Sequence, residues 1–142
     1  SRVVDLYAGV GNLGLPVAKA TGAQVLLVES HPQAAADARK AARANQLEAE
    51  VQTADADAFR AGDAWFDVAI LDPPRIGAPG VLAQLATTLP RRIVYVSCNP
   101  TAMARDLRAM KDAGYEPERV VVFDMFPQTD HVETLCILGR ST

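Results

Sequence analysis

Short β-branched apolar runs alternate in this chain with longer stretches whose apolar residues recur at helical spacing. The runs predict strands over Val3–Tyr7, Gln24–Glu29, Glu50–Thr53, Asp67–Leu71 and Ile93–Ser97, with two more near Val120–Phe123 and Thr134–Leu138. Between them, helices are predicted over Gly14–Thr21, Pro32–Asn45, Gly80–Leu89 and Pro100–Ala113. Met103, Leu107 and Met110 mark the buried stripe of the last helix, and Gly114 is its stop. This alternation implies an α/β fold: a mostly parallel seven-stranded sheet with helices on both faces. No helix separates the final two strands, so they should pair antiparallel, leaving an antiparallel last strand.

Composition narrows the class. At 142 residues the chain is one domain, enough to bury roughly 68–70% of its unfolded surface without a covalent staple. Hydrophobic residues make up 49% and charged ones 22%, which argues against disorder. The two cysteines, Cys98 and Cys136, lack metal-type or disulfide spacing, so no metal is implied and a reducing, cytoplasmic setting is expected. Apolar runs such as Val25–Val28 are far too short to span a bilayer, so no membrane partner is expected, and a monomer is. The net charge of -3 argues against a free-standing nucleic-acid binder. The chain starts without methionine and enters a strand at Arg2–Val4, which reads as a piece of a longer protein.

Three turns carry candidate chemistry, and all follow predicted strands. The first, Asp5–Gly14, places Gly9, Gly11 and Gly14 in a G-x-G-x-x-G spacing between a strand and a helix. Glycines allow a tight turn and close approach of a ligand, and Glu29 at the end of the next strand can accept hydrogen bonds from ribose hydroxyls. An adenosine-type cofactor fits. Asp5 suits a cationic ligand, such as the sulfonium and amino groups of S-adenosyl-L-methionine, better than a pyrophosphate. Asp55 could meet an adenine amine or cap a helix, and Asn12 could contact the cofactor or favour an unusual backbone angle.

In the second turn, Asp72-Pro73-Pro74-Arg75, two prolines make a rigid connection that can hold Asp72 at the site and offer a flat surface to a planar base. Arg75 reads by default as one half of a surface salt bridge. The third turn carries Cys98 between the apolar Ile93–Ser97 and the polar Asn99-Pro100-Thr101. Asn99 is a good helix cap and Pro100 suits the first helical position, which sets the sulfur beside a helix N-terminus, where thiolate is favoured.

Together, Asp5–Ala18 (DLYAGVGNLGLPVA), Asp72–Gly77 (DPPRIG), Val94–Pro100 (VYVSCNP) and Phe123–Glu133 (FDMFPQTDHVE) resemble the catalytic domain of the RNA 5-methyluridine methyltransferases. The resemblance covers essentially the whole chain. It implies a Rossmann-like class I methyltransferase fold, S-adenosyl-L-methionine as cofactor, and an rRNA or tRNA substrate methylated at carbon 5 of a uridine. By the same resemblance, Cys98 is the nucleophile and Glu133 the general base. Tyr7, Asn12, Glu29 and Asp72 are cofactor contacts, joined by Gly9 and Gly11 of the turn; Asp55 is a weaker carry-over because Asp57 competes for its place. Ala8 replaces a cysteine frequent in the family. The family's upstream RNA-binding β-barrel, second subdomain and upstream glutamine have no counterpart here, so residues 1–142 are expected to be a C-terminal catalytic fragment that holds RNA mainly through absent domains.

The implied chemistry needs these residue types. Carbon 5 of uracil is a poor nucleophile; a thiolate adding to carbon 6 raises its electron density, and a base must afterwards remove the carbon 5 proton so that the cysteine can leave. Glu133 precedes an apolar strand, near the active edge if that strand is antiparallel. His131 reads as a positioning residue, His31 as a helix-start residue and Cys136 as inert core. Competing readings are RNA cytosine-5 methylation, which typically shows a second cysteine after the fourth strand; a nicotinamide-dependent oxidoreductase, from the glycines alone; and a degenerate cofactor-binding module without turnover.

Overall fold

A computed structural model describes residues 1–62, 64–124 and 132–140. The elements run β1 (Arg2–Leu6), α1 (Gly14–Thr21), β2 (Gln24–Glu29), α2 (Pro32–Ala44), β3 (Ala49–Thr53), β4 (Val68–Leu71), α3 (Pro79–Thr88), β5 (Arg92–Ser97), α4 (Pro100–Asp112), β6 (Tyr115–Asp124) and β7 (Val132–Arg140). The seven strands form one sheet in the order β3-β2-β1-β4-β5-β7-β6. β1 to β5 pair in parallel, and β7 runs antiparallel to both β5 and β6. The expected α/β architecture with its antiparallel last strand is therefore present.

Chain order reverses at β1, with β2 on one side and β4 on the other. Right-handed crossovers that travel in opposite directions from such a point place their helices on opposite faces. The buried residues divide accordingly. Leu15 and Ala18 of α1 and Ala42 of α2 pack with Val3, Val25, Leu27 and Ile70 on one face. Val81, Leu82 and Leu85 of α3 and Met103 and Met110 of α4 pack with Val4, Leu6, Leu71, Ile93 and Tyr95 on the other. Alternate residues of β1 thus serve different cores, as the two-residue period of a strand requires. Each fully buried Leu, Ile or Met contributes about 1.5–3 kcal/mol.

Boundaries shifted most at the far edge. β6 begins at Tyr115 rather than near Val120, because Glu116, Pro117 and Glu118 read as loop but pair along β7 with an irregularity between Pro117 and Arg119. An edge strand tolerates the proline, since one side needs no ladder donor. Among the described residues no helix is long and apolar enough to cross a membrane. His131 and the segment before it in the fourth quoted motif, from residue 125, lie outside the described residues.

Candidate active site

Tyr7, Gly9, Gly11 and Asn12 follow β1, Glu29 ends β2, Asp55 follows β3, Asp72 follows β4 and Cys98 follows β5. Because these strands are parallel, all of these residues lie on one edge of the sheet. Glu133 lies near the start of antiparallel β7, so it reaches the same edge from the opposite direction.

The glycine turn is braced from beneath. Asp5 is fully buried and its Oδ2 accepts a 2.8 Å hydrogen bond from the Gly14 amide at the start of α1. A Cβ on Gly14 would come within 2.7 Å of that oxygen, so the glycine lets the helix settle on the strand. Burial, opposed by the Gly14 bond and reinforced by Asp72 and Glu29, pushes the Asp5 carboxyl up to about 7. This corrects the expectation that Asp5 attracts a cationic ligand: its carboxyl is enclosed under the turn and is not held fully ionised at neutral pH. Its Oδ2 braces the turn, while its buried Oδ1 has no hydrogen-bond partner among the described residues.

Above Asp5, Gly9 sits at φ +59 with open space where a side chain would project, and its amide donates to Glu29 Oε1 at 2.9 Å. Glu29 Oε2 accepts from the His31 amide at 2.7 Å. Each oxygen keeps a further lone pair, so Glu29 is oriented with acceptor capacity to spare. His31 caps α2 through Nδ1, as expected of a helix-start residue. Tyr7 adopts φ +61, a left-handed conformation uncommon for an aromatic residue and found where surroundings over-determine the backbone. Its hydroxyl points to Asp57 Oδ1 at 3.5 Å, and burial followed by the charges of Asp57 and Asp55 raises its pKa.

Asp55 and Asp57 divide the work at the third strand end. Asp55 Oδ1 accepts from the Asp57 amide at 3.0 Å, and the Asp55 carbonyl accepts from Ala58 and Phe59. Asp55 therefore folds its own turn, while the Asp57 side chain faces Tyr7 and α3.

Cys98 is half-buried at the mouth of β5. Ser97 Oγ accepts from the Asn99 amide and donates to the Asn99 carbonyl, both at 2.9 Å, closing a tight turn around the thiol-bearing residue. Asn99 Oδ1 then caps α4 by accepting from Thr101 and Ala102, with Pro100 in the first turn. The expected cap-and-proline entry is present. On the neighbouring strand Ser97 pairs with Thr134 in the last rung of this ladder, so Cys98 and Glu133 each lie one residue beyond it, at the same end of the sheet. Glu133 Oε2 is buried and has no hydrogen-bond partner among the described residues. Asp72 lies close enough that burial and then the Glu133 charge raise its pKa.

Two expectations for neighbouring residues resolve differently. Cys136 is fully buried in the sheet, and burial pushes its thiol up, which suits inert core. Arg75 was expected in a surface salt bridge, but among the described residues the ion pairs are Arg92–Glu118 and Arg105–Asp106. The side chain of Arg75 is exposed, and its carbonyl accepts from Asn99 Nδ2 at 2.8 Å.

One residue at this edge was missed from sequence. Asp106 on α4 is 2% exposed; its Oδ2 accepts from Tyr95 Oη at 2.6 Å and from the Ala78 amide at 2.9 Å, and Arg105 contacts Oδ1 at 3.3 Å. The signal was present: Asp106 falls between Met103 and Met110 in a helix stripe that is otherwise apolar.

Comparison with known proteins identifies the family and the fold. Residues 56–141 match the tRNA (uracil-5-)-methyltransferase family, and residues 1–89 match a methyltransferase small domain. A 23S rRNA (uracil(1939)-C(5))-methyltransferase RlmD from Edwardsiella ictaluri is 43% identical over 96% of this chain, and that of Klebsiella pneumoniae is 40% identical over 98%. The chain spans about a third of each relative, 32% and 33%. The Pyrococcus abyssi tRNA (uracil-54, C5)-methyltransferase, solved with S-adenosyl-L-homocysteine, superposes with a TM-score of 0.85 at 38% identity, covering 96% of this chain and 33% of that one. Thermus thermophilus TrmN, at 21% identity and a TM-score of 0.80, shares the fold. With more than half its length matched, the chain belongs to the tRNA (uracil-5-)-methyltransferase family.

Proposed function

We propose that residues 1–142 are the catalytic domain of a longer S-adenosylmethionine-dependent enzyme that methylates carbon 5 of a uridine in rRNA or tRNA through a covalent Cys98 adduct. The observation that carries this reading is the β5–β7 register: its last pair, Ser97 with Thr134, is flanked by Cys98 and Glu133 at the sheet edge that also carries Asp72 and the glycine turn.

The site suits the cofactor on its own features. Gly9 leaves its ligand-facing side open, Glu29 is fixed with free lone pairs for ribose hydroxyls, and Asn12 and Asp72 are exposed at the same rim. Tyr7, Gly11 and Asp55 complete the proposed cradle. When bound, S-adenosylmethionine supplies an electrophilic methyl group.

The chain's own residues handle the electrons and protons of the uracil. The Cys98 thiolate adds to carbon 6, forming an S–C6 bond and sending the ring electrons toward carbon 5 and the adjacent carbonyl. Once carbon 5 carries the new methyl group, its proton must leave. Glu133, whose inner oxygen has no partner among the described residues, accepts that proton. The electrons then re-form the C5–C6 double bond and expel the Cys98 sulfur. An extruded base is required, which an RNA loop permits readily. The acidic charge of -3 is consistent with RNA being held mainly by other parts of the enzyme, acting in the cytoplasm.

The test uses the full-length enzyme with S-adenosylmethionine and RNA containing 5-fluorouridine, whose fluorine cannot be removed as a proton. A stable protein–RNA adduct is expected, and Cys98→Ala should abolish it. An adduct that persists in the variant would overturn the assignment of Cys98.

A further inference from the structure

We propose that Asp106 is a positioning residue, locking the Asp72–Ala78 turn to the segment that carries Cys98. The role rests on the methylation reading above, since it concerns how two parts of that site are kept in register.

The anchoring is dense. Asp106 Oδ2 accepts from the Ala78 amide at 2.9 Å and from Tyr95 Oη at 2.6 Å. Arg105, paired with Asp106, also donates to the Ile76 carbonyl, and Asn99 Nδ2 donates to the Arg75 carbonyl at 2.8 Å. Side chains of the α4 entry and of α4 itself therefore grip Arg75, Ile76 and Ala78, the continuation of the turn that Asp72 opens. Tyr95 lies in β5, three residues before Cys98, and α4 begins two residues after it. One buried carboxylate thus joins the strand before the thiol, the helix after it and the neighbouring turn.

The turn is shaped to receive that carboxylate. Gly77 has φ +84, and a Cβ there would meet Asp106 Oδ2 at 2.5 Å and Arg105 Nη2 at 2.6 Å. The Gly77 amide closes the turn onto the Pro74 carbonyl at 2.9 Å. If core packing were the only demand, an apolar residue would serve better between Met103 and Met110, because a buried acid carries a desolvation cost that its partners must offset. Those partners lie in the turn, in β5 and in the adjacent Arg105, so the compensation depends on the turn staying docked. Displacing Asp72 by about 1 Å relative to Cys98 is enough to slow a positioned reaction about 100-fold.

The experiment compares full-length wild type, Asp106→Asn, Gly77→Ala and the double variant, with Tyr95→Phe as an alternative should Asp106→Asn fail to fold. The substrate is total RNA from a strain lacking the gene. Thermal unfolding gives the folded fraction, and single-turnover methyl transfer is measured at saturating S-adenosylmethionine and RNA. Each single variant should lower the rate per folded molecule by about 10- to 100-fold, and the double variant should be no slower than the slower single one, because both loosen the same contact. An unchanged rate per folded molecule in the single variants, or effects that multiply in the double variant, would overturn the positioning role while leaving the function intact. A wild-type enzyme that transfers no methyl group to uridine would overturn the reaction reading itself, and this role with it.

Discussion

Ser97 on β5 lies directly opposite Thr134 on β7, and that antiparallel rung is what brings two distant segments of the chain into one site. Cys98 and Glu133 each lie one residue beyond this rung, at the edge of the sheet. In the proposed mechanism their roles are separable, because they act at different moments on the uracil ring.

Replacing Glu133 by Gln should therefore leave addition and methylation possible but remove the proton acceptor. Turnover should fall about 10²–10⁴-fold, while a methylated RNA–protein adduct accumulates on ordinary uridine RNA and is seen as a slow band on a denaturing gel. Loss of turnover without any adduct would count against Glu133 as the base.

The two cysteines make a contrasting pair. Cys136 is fully buried, so Cys136→Ser places a hydroxyl in the core and should destabilise the protein by about 1–3 kcal/mol, with activity per folded molecule preserved. Cys98→Ser should do the reverse, abolishing methylation with little change in the urea midpoint. Equal effects of both changes on stability and activity would contradict the division.

Asp5 should leave a mark on the pH dependence of stability. Its carboxyl is pushed from an ordinary 3.8 up to about 7 by burial, so between those values the folded state holds more protons than the unfolded one. Its contribution is fully present below the unfolded value and is lost as pH rises through about 7. Asp5→Asn keeps an oxygen to accept from Gly14 and cannot ionise. The stability of wild type relative to this variant should fall steadily between about pH 4 and pH 8, as measured by urea unfolding; parallel profiles would rule the account out.

Gly14 tests the same brace from the other side. A methyl group there would meet Asp5 Oδ2 at 2.7 Å and Val25 Cγ1 at 3.2 Å, both in the buried layer under α1. Gly14→Ala should cost about 1–3 kcal/mol through overpacking and weaken S-adenosylmethionine binding in calorimetry by tilting the glycine turn. Unchanged affinity in a destabilised protein would show that the turn does not transmit the strain.

The resemblance to a methyltransferase family named the residues of the proposed site; the sequence alone determined the element order and the parallel sheet with its antiparallel last strand. This information is local: β-branched runs, a cap followed by proline, and glycines at a strand end act over a few residues. Its edge failed where local signals were mixed, as in the Glu116–Glu118 start of β6, which only pairing with β7 reveals as strand. Tertiary structure decided what each charged side chain does there. Asp5 and Asp106 look alike in sequence, as acids in apolar surroundings, yet one braces the glycine turn through Gly14 and the other ties the Asp72 turn to β5. Their partners lie 9, 28 and 11 residues away along the chain. Which donor reaches a buried carboxylate depends on how strands and helices pack, and no periodicity along the chain encodes it.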